Sequence, residues 1–287
     1  MADHVADHVA EPATVDVRLG IANDVRTFRL LAGARVRSEL QYRSSFAAFT
    51  ISQAMVTFLD CAVILIFFAN VPVIGGWSRG EVLYLYSIAT LSLGFADFVM
   101  GSVEYLPQHV RTGTLDRLLV RPAGVLAQLL AQEFALRRIG RIVQASTVLV
   151  IVLVTTDVDW TLDGALVAVA GVVGAMLTFC AVFLATSSLS FWSPNTQEFA
   201  NAFTYGGATV AEFPTHIFPS WLRVFFIGVV PAGAVVYFPA MYALHADNPL
   251  GFPRWMQAAS PLVCVPVLAV GGLIWRFGVR HYESTGS

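Results

Sequence analysis

Three carboxylates stand where a charge is expensive: Asp60, Asp97 and Glu212 each lie inside a long apolar stretch. An ionisable group in that setting either takes a proton, a cation or a cargo molecule as its partner, or stays neutral or hydrogen-bonded to a neighbouring helix in a structural role. The aromatic residues Phe203 and Phe213 share the stretch of Glu212 and suit contact with an amphiphile, or plain helix packing. These five residues are the candidate substrate path. A different chemistry is suggested by YLPQHVRTGTLDRLLVRPAG at 105–124. Gly113 breaks one element, Leu115, Leu118 and Leu119 give a short apolar face, Asp116 sits in a first helical turn where the dipole favours it, and Pro122 ends the helix. With Arg111, Arg117 and Arg121 around it, the segment reads either as an amphipathic helix for a moving partner to push against or as a polybasic loop that binds anionic lipid. On the first reading, Asp in place of Leu115 and Leu118 is expected to remove a surface contact and leave the fold intact.

Several chemistries are missing. All 17 basic residues are arginine, and a P-loop needs a lysine to reach the β- and γ-phosphates of its nucleotide. No HExxH, GxSxG or paired-cysteine motif occurs, so a membrane-embedded hydrolase lacks its parts. Cys61, Cys180 and Cys264 fall inside apolar segments as small hydrophobes, and no disulfide is expected. His4 and His8, in the duplication ADHVADHV, read as a solvated repeat rather than a chelate. No catalytic residue, metal site or cofactor is expected in this chain, and no nucleic acid partner. Energy must come from a partner chain or from an ion gradient.

The elements that position these residues are set by composition. The chain is 56% hydrophobic and only 13% charged, against about 25% charged for a soluble domain. We therefore expect an all-α polytopic membrane protein. Residues 1–23 read as a disordered cytoplasmic tail, with acidic residues where a cleaved leader would be basic. Val25, Phe28, Ala32, Val36 and Leu40 recur at helical spacing, which predicts an amphipathic interface helix over 24–45. A transmembrane domain over 46–277 follows, with spans near 46–70, 82–103, 139–156, 164–189 and 258–276 and a short cytoplasmic tail at 278–287. Between the last two, hydropathy alone favours 221–244 as a span. The alternative spans with 197–215 and folds 220–244 into a re-entrant pair bent at Pro231, a geometry allowed only where protein or a watery cavity surrounds it. The arginines fix the orientation: six in the lead-in, six between the second and third spans and two in the tail, against three on the other side, which also carries Asp157 and Asp159. The positive-inside rule then places both termini in the cytoplasm.

The runs RTGTLDRLLVRP, NVPVIGGWSRGEVLYLY and EFPTHIFPSWLRVFFIGVVPAGAVVYFPA resemble the six-span permeases of bacterial type-2 ABC exporters, within the subfamily that pairs two permeases with one ATPase. The resemblance runs from about residue 24 to the C-terminus. It implies an N-terminal interface helix and a coupling segment over 105–122 whose Arg111, Gly113, Leu115, Asp116, Arg117, Leu118, Arg121 and Pro122 dock on the ATPase. It also implies a fifth span at 197–215 with a re-entrant pair after it. The implied partners are an ATP-binding-cassette ATPase dimer that binds the ATP and Mg, a second permease, paralogous or identical, and the lipid of the bacterial cytoplasmic membrane. Small residues on the fourth span (Ala170, Gly171, Gly174, Ala175) and at Gly206 to Ala208 offer close packing, to that second subunit among others. The rival expectation is a proton- or sodium-coupled secondary transporter with Asp60 or Asp97 as its ion site.

Overall fold

The computed structural model describes residues 21–132, 135–156, 160–193 and 195–282. Residues 1–20 of the tail expected over 1–23, with its His4 and His8 repeat, and Asp157, Asp159 and residues 283–287 lie outside them. Among the described residues every element is helical apart from one isolated bridge between Ile74 and Trp77.

Helix α1 (Ile21–Gln41) ends at Tyr42, whose φ of −103° and ψ of 63° break the chain before α2 (Arg43–Asn70) begins. The expected interface helix over 24–45 is thus three residues earlier at its start and stops at this kink. Helix α3 (Arg79–Met100) is opened by a capping box in which the Ser78 hydroxyl accepts from the Glu81 amide and the Glu81 carboxylate accepts from the Ser78 amide. That cap moves the expected start from 82 to 79. A 3₁₀ turn (Gly101–Tyr105) carries α3 into α4 (Leu106–Arg111), followed by α5 (Leu115–Leu119) and α6 (Val125–Gln132). Helices α7 (Ile139–Thr155), α8 (Leu162–Ser188) and α9 (Gln197–Ala211) come next. The last of these falls short of the expected 215 because Pro214, just beyond its end, has no N–H for the ladder. Helix α10 (Ser220–Val224) runs through a π turn (Phe225–Val229) to Pro231, and α11 (Ala232–Ala243) leaves at 94° to it. The chain closes with α12 (Arg254–Ala259), a 3₁₀ turn at Ser260–Val263 and α13 (Cys264–Arg280).

Among the described residues four helical runs are long and apolar enough to cross a membrane, Arg43–Asn70, Arg79–Arg111, Leu162–Phe191 and Arg254–Arg280, or five if the bent pair counts as one. Helices α7 and α9, with 17 and 15 residues, are about 25 Å and 22 Å long at 1.5 Å per residue. A hydrocarbon core is about 30 Å thick, so both need their flanking turns to reach across it.

Helix α8 is the hub, packed against α3, α9, α11 and α13. Two of its glycines explain how neighbours come so close. A Cβ on Gly171 would collide with Pro239 of α11, and one on Gly174 would collide with Pro261 in the turn before α13. The small-residue face expected to serve a second subunit is therefore spent at these two positions inside the chain, whereas Gly206 on α9 faces open space. Helix α3 is buried over 78% of its apolar window and α2 over only 17%. Most of α2 thus faces outward.

Candidate functional site

The segment 105–122, expected to couple to an ATPase, is built as a small folded unit at one end of the bundle. Gly113 has φ +64°, a left-handed conformation that suits glycine and turns the chain from α4 into α5. The turn is tied by His109 Nδ1 to Thr114 Oγ1 at 2.8 Å and by the Thr112 hydroxyl, which donates to the Gln108 carbonyl at 2.9 Å. Leu115 and Leu118 are 1% and 3% exposed. They sit in a second apolar cluster with Val103, Leu106, Val110, Leu129, Leu184 and Trp275, separate from the main core. This corrects the expectation that both leucines form a docking face: they seat the helix on its own protein. What points outward is the far side of α5 and the turn after it. Val120 is 83% exposed, with Arg117, Leu119, Arg121 and Pro122 exposed around it and Arg111 at the end of α4.

Three further residues hold this unit, none of them marked in the sequence reading. Gln128 of α6 is buried and its amide donates to the carbonyls of Leu118 and Ala123 at 3.0 and 2.9 Å, which satisfies the open end of α5. Its signal is an amide inside the apolar run VLAQLLAQ. Tyr282 packs edge-on against Phe191 with ring centroids 6.1 Å apart. Its phenol faces Asp116, and burial followed by that carboxylate pushes it above its usual range. Asp24 of α1 accepts a hydrogen bond from the Gly124 amide at 2.7 Å.

Asp97 is 7% exposed and engages two arginines at the start of α7. Arg138 Nε lies 3.2 Å from its carboxylate, Arg141 Nη1 lies 3.8 Å from it, and Arg138 also donates to the Asp97 carbonyl at 3.0 Å. Arg141 sits over the Tyr205 ring at 5.8 Å, and Glu104 faces Tyr205 and both arginines. A Cβ at Gly101 would collide with the Arg138 guanidinium and the Asp97 carboxylate together, so glycine is needed for this cluster to close. The group joins α3, α7 and α9 through two acids and two bases. Glu104 escaped the sequence reading because it stands in a polar-looking loop rather than inside an apolar run.

The remaining candidates of the path divide between two places. Asp60 is exposed on α2 and Glu212 ends α9, and the two carboxylates lie within electrostatic reach of one another. Glu212 accepts from the Thr90 hydroxyl at 3.4 Å. Beside them a purely apolar groove of about 340 Å3 runs between Val63, Ile64 and Phe67 of α2 and Phe213, Ile217 and Phe218. Phe203 is elsewhere, half-buried between Phe199 and Phe225 at centroid distances of 4.5 and 5.6 Å. Asp60, Glu212 and Phe213 therefore come together, while Asp97 and Phe203 do not join them.

At the opposite end of α3 the loop 71–78 is fastened to the bent pair. His216 Nδ1 is 2.7 Å from the Tyr237 hydroxyl and its Nε2 is 2.7 Å from the Gly75 carbonyl. Trp77 is fully buried and stacks on Tyr237 at 5.3 Å. Gly75, at φ +56°, leaves no room for a side chain against His216 and Ile217. One imidazole thus ties the first interhelical loop to α11.

A search of curated proteins and one of solved structures each found no match. A family profile described as ABC-2 family transporter protein matches residues 54–286. That span holds almost every element just described, from the middle of α2 to the end of α13, and the described residues are helical, with four or five runs apolar and long enough to cross a membrane. The chain belongs to the ABC-2 family of transporter proteins, as a membrane-spanning permease.

Proposed function

We propose that this permease is the membrane subunit of an ATP-driven exporter that carries a hydrophobic or amphipathic compound across the bacterial cytoplasmic membrane. Its power comes from a separate ATP-binding-cassette ATPase dimer, which binds the ATP and Mg; this chain contributes no catalytic residue and no cofactor. The observation that carries the reading is the outward apolar tip at Val120, ringed by Arg111, Arg117 and Arg121, on a helix seated by Leu115 and Leu118. Such a tip gives a partner a small hydrophobic anchor with charged surroundings, the usual anatomy of a docking hot spot. Because its seat is packed, displacement of the tip moves the helices beneath it.

The chain crosses the membrane six times in this reading, with α7 and α9 as the two short crossings and Ser220–Ala243 re-entrant on the outer side. Both termini are then cytoplasmic, in accord with the arginine distribution. A second permease covers the outward face of α2, where Asp60 stands within the apolar span and is uncovered by its own chain. Asp97, already paired with two arginines, is a structural group rather than an ion-coupling site.

Val120→Asp tests the docking assignment. It places a carboxylate on an exposed position, so the variant is expected to insert and melt like the wild type while retaining less than a tenth of the ATPase on co-purification. Wild-type retention of the ATPase by a folded Val120→Asp permease would remove the coupling segment from the interface.

A further inference from the structure

The helix ahead of the first span carries two carboxylates whose partners lie about a hundred residues away in the chain. Asp24, near the start of α1, accepts from the Gly124 amide at 2.7 Å. Glu39, near its end, accepts from the Leu136 amide at 2.9 Å. Gly124 opens α6, since its carbonyl takes the Gln128 amide at 3.1 Å. Leu136 opens the short 3₁₀ turn Leu136–Arg138 that leads into α7. Each carboxylate therefore satisfies a backbone amide that has no partner at the start of an element, and is supplied from another helix.

The rest of α1 agrees with this arrangement. It packs along α6, with Ala32 buried and Phe28, Leu31 and Val36 half-covered. Asn23 donates to the Pro122 carbonyl at 3.3 Å, on the last residue of the coupling segment. A Cβ on Gly124 would lie within 3 Å of the Asp24 carboxylate, so the site is shaped for that contact. The Arg26, Arg29 and Arg37 side chains and Leu30 point away from α6. The expected stripe of Val25, Phe28, Ala32, Val36 and Leu40 is thus divided: Phe28, Ala32 and Val36 turn to the protein, while Val25 and Leu40 are exposed. Neither Asp24 nor Glu39 lies within the residues that match the family.

We propose that Asp24 and Glu39 are positioning residues for coupling: α1 is a splint that fixes the distance between the tip at Val120–Pro122 and the start of α7. Resting on the exporter reading above, the splint makes a push by the ATPase on the tip move α7 instead of bending the 123–136 connection. Helix α7 bears Arg141, and Arg138 immediately precedes it, so the motion reaches the Asp97 cluster directly.

The test uses the full-length chain with Asp24→Ala, Glu39→Ala, the double change, and Asp24→Asn, whose amide oxygen still accepts from Gly124. Amide hydrogen exchange over 123–137 is measured in detergent without any ATPase, and ATP-driven transport per ATP hydrolysed is measured in the reconstituted complex. Exchange in the double variant is expected to rise at least tenfold over that segment and to stay unchanged in α8, with transport per ATP about tenfold lower. Asp24→Asn should restore most of both. Unchanged exchange in the double variant, or an Asn variant as impaired as the Ala one, would overturn the positioning role. A wild-type chain that recruits no ATPase would instead overturn the proposed function, and with it the coupling role.

Discussion

Replacing Leu115 and Leu118 by Asp will unfold the apolar cluster that seats α5, and on the proposed function loss of the ATPase will follow from that collapse. Both leucines are nearly inaccessible among Leu106, Val110, Leu129 and Trp275. Truncating a buried leucine costs about 2–5 kcal/mol, and a carboxylate left in the same place without a partner adds its own desolvation penalty. Thermal unfolding in detergent, followed by tryptophan fluorescence, should show a much lower midpoint or no cooperative transition, with Val120→Asp as a near-wild-type control. Trp275 lies in the cluster and reports on it directly. A double variant that melts normally yet fails to hold the ATPase would return both leucines to the docking face.

The second large effect is expected at Asp97. Asp97→Ala leaves two guanidiniums with Glu104 as the remaining carboxylate in a mostly covered site, and removal of one partner from a buried ionic group typically costs about 3–5 kcal/mol. On the scale of a protein of this size that corresponds to a melting shift on the order of 10 °C. Asp97→Asn keeps the shape and one acceptor, so it should fall between the alanine variant and the wild type. Transport should decline only in proportion to folded protein. If Asp97→Ala instead melts like the wild type while transport or cargo-stimulated ATP hydrolysis changes, Asp97 belongs to the substrate path.

The long spans and the short helix after Gly113 were legible in the sequence, because apolar runs, Gly113 and Pro122 act locally. Which side of α5 is exposed was misread. Leu115, Leu118 and Leu119 follow one another on a short helix, and only the tertiary neighbours decide that the first two turn inward while Leu119 and Val120 turn outward. The same limit applies to Gly171 and Gly174, whose partners Pro239 and Pro261 are distant in sequence. Asp24, Glu39 and Glu104 were invisible for a related reason. A polar residue in a polar stretch gives no sign that its acceptor or donor will be used across the fold. Asp97 was noticed because its surroundings are apolar, but its two arginines lie beyond the next loop.

Nucleotide dependence in sealed vesicles tests the exporter account most directly. Purified chain is reconstituted alone, with its ATPase, and with the ATPase and second permease, and the movement of a fluorescent hydrophobic dye is followed with ATP, without ATP, and under imposed proton or sodium gradients. The account predicts no movement by the chain alone under any gradient, and movement that requires both the ATPase and hydrolysable ATP once the complex is assembled. Dye transport by the chain alone, driven by a proton or sodium gradient and indifferent to ATP, would contradict it and establish a secondary transporter.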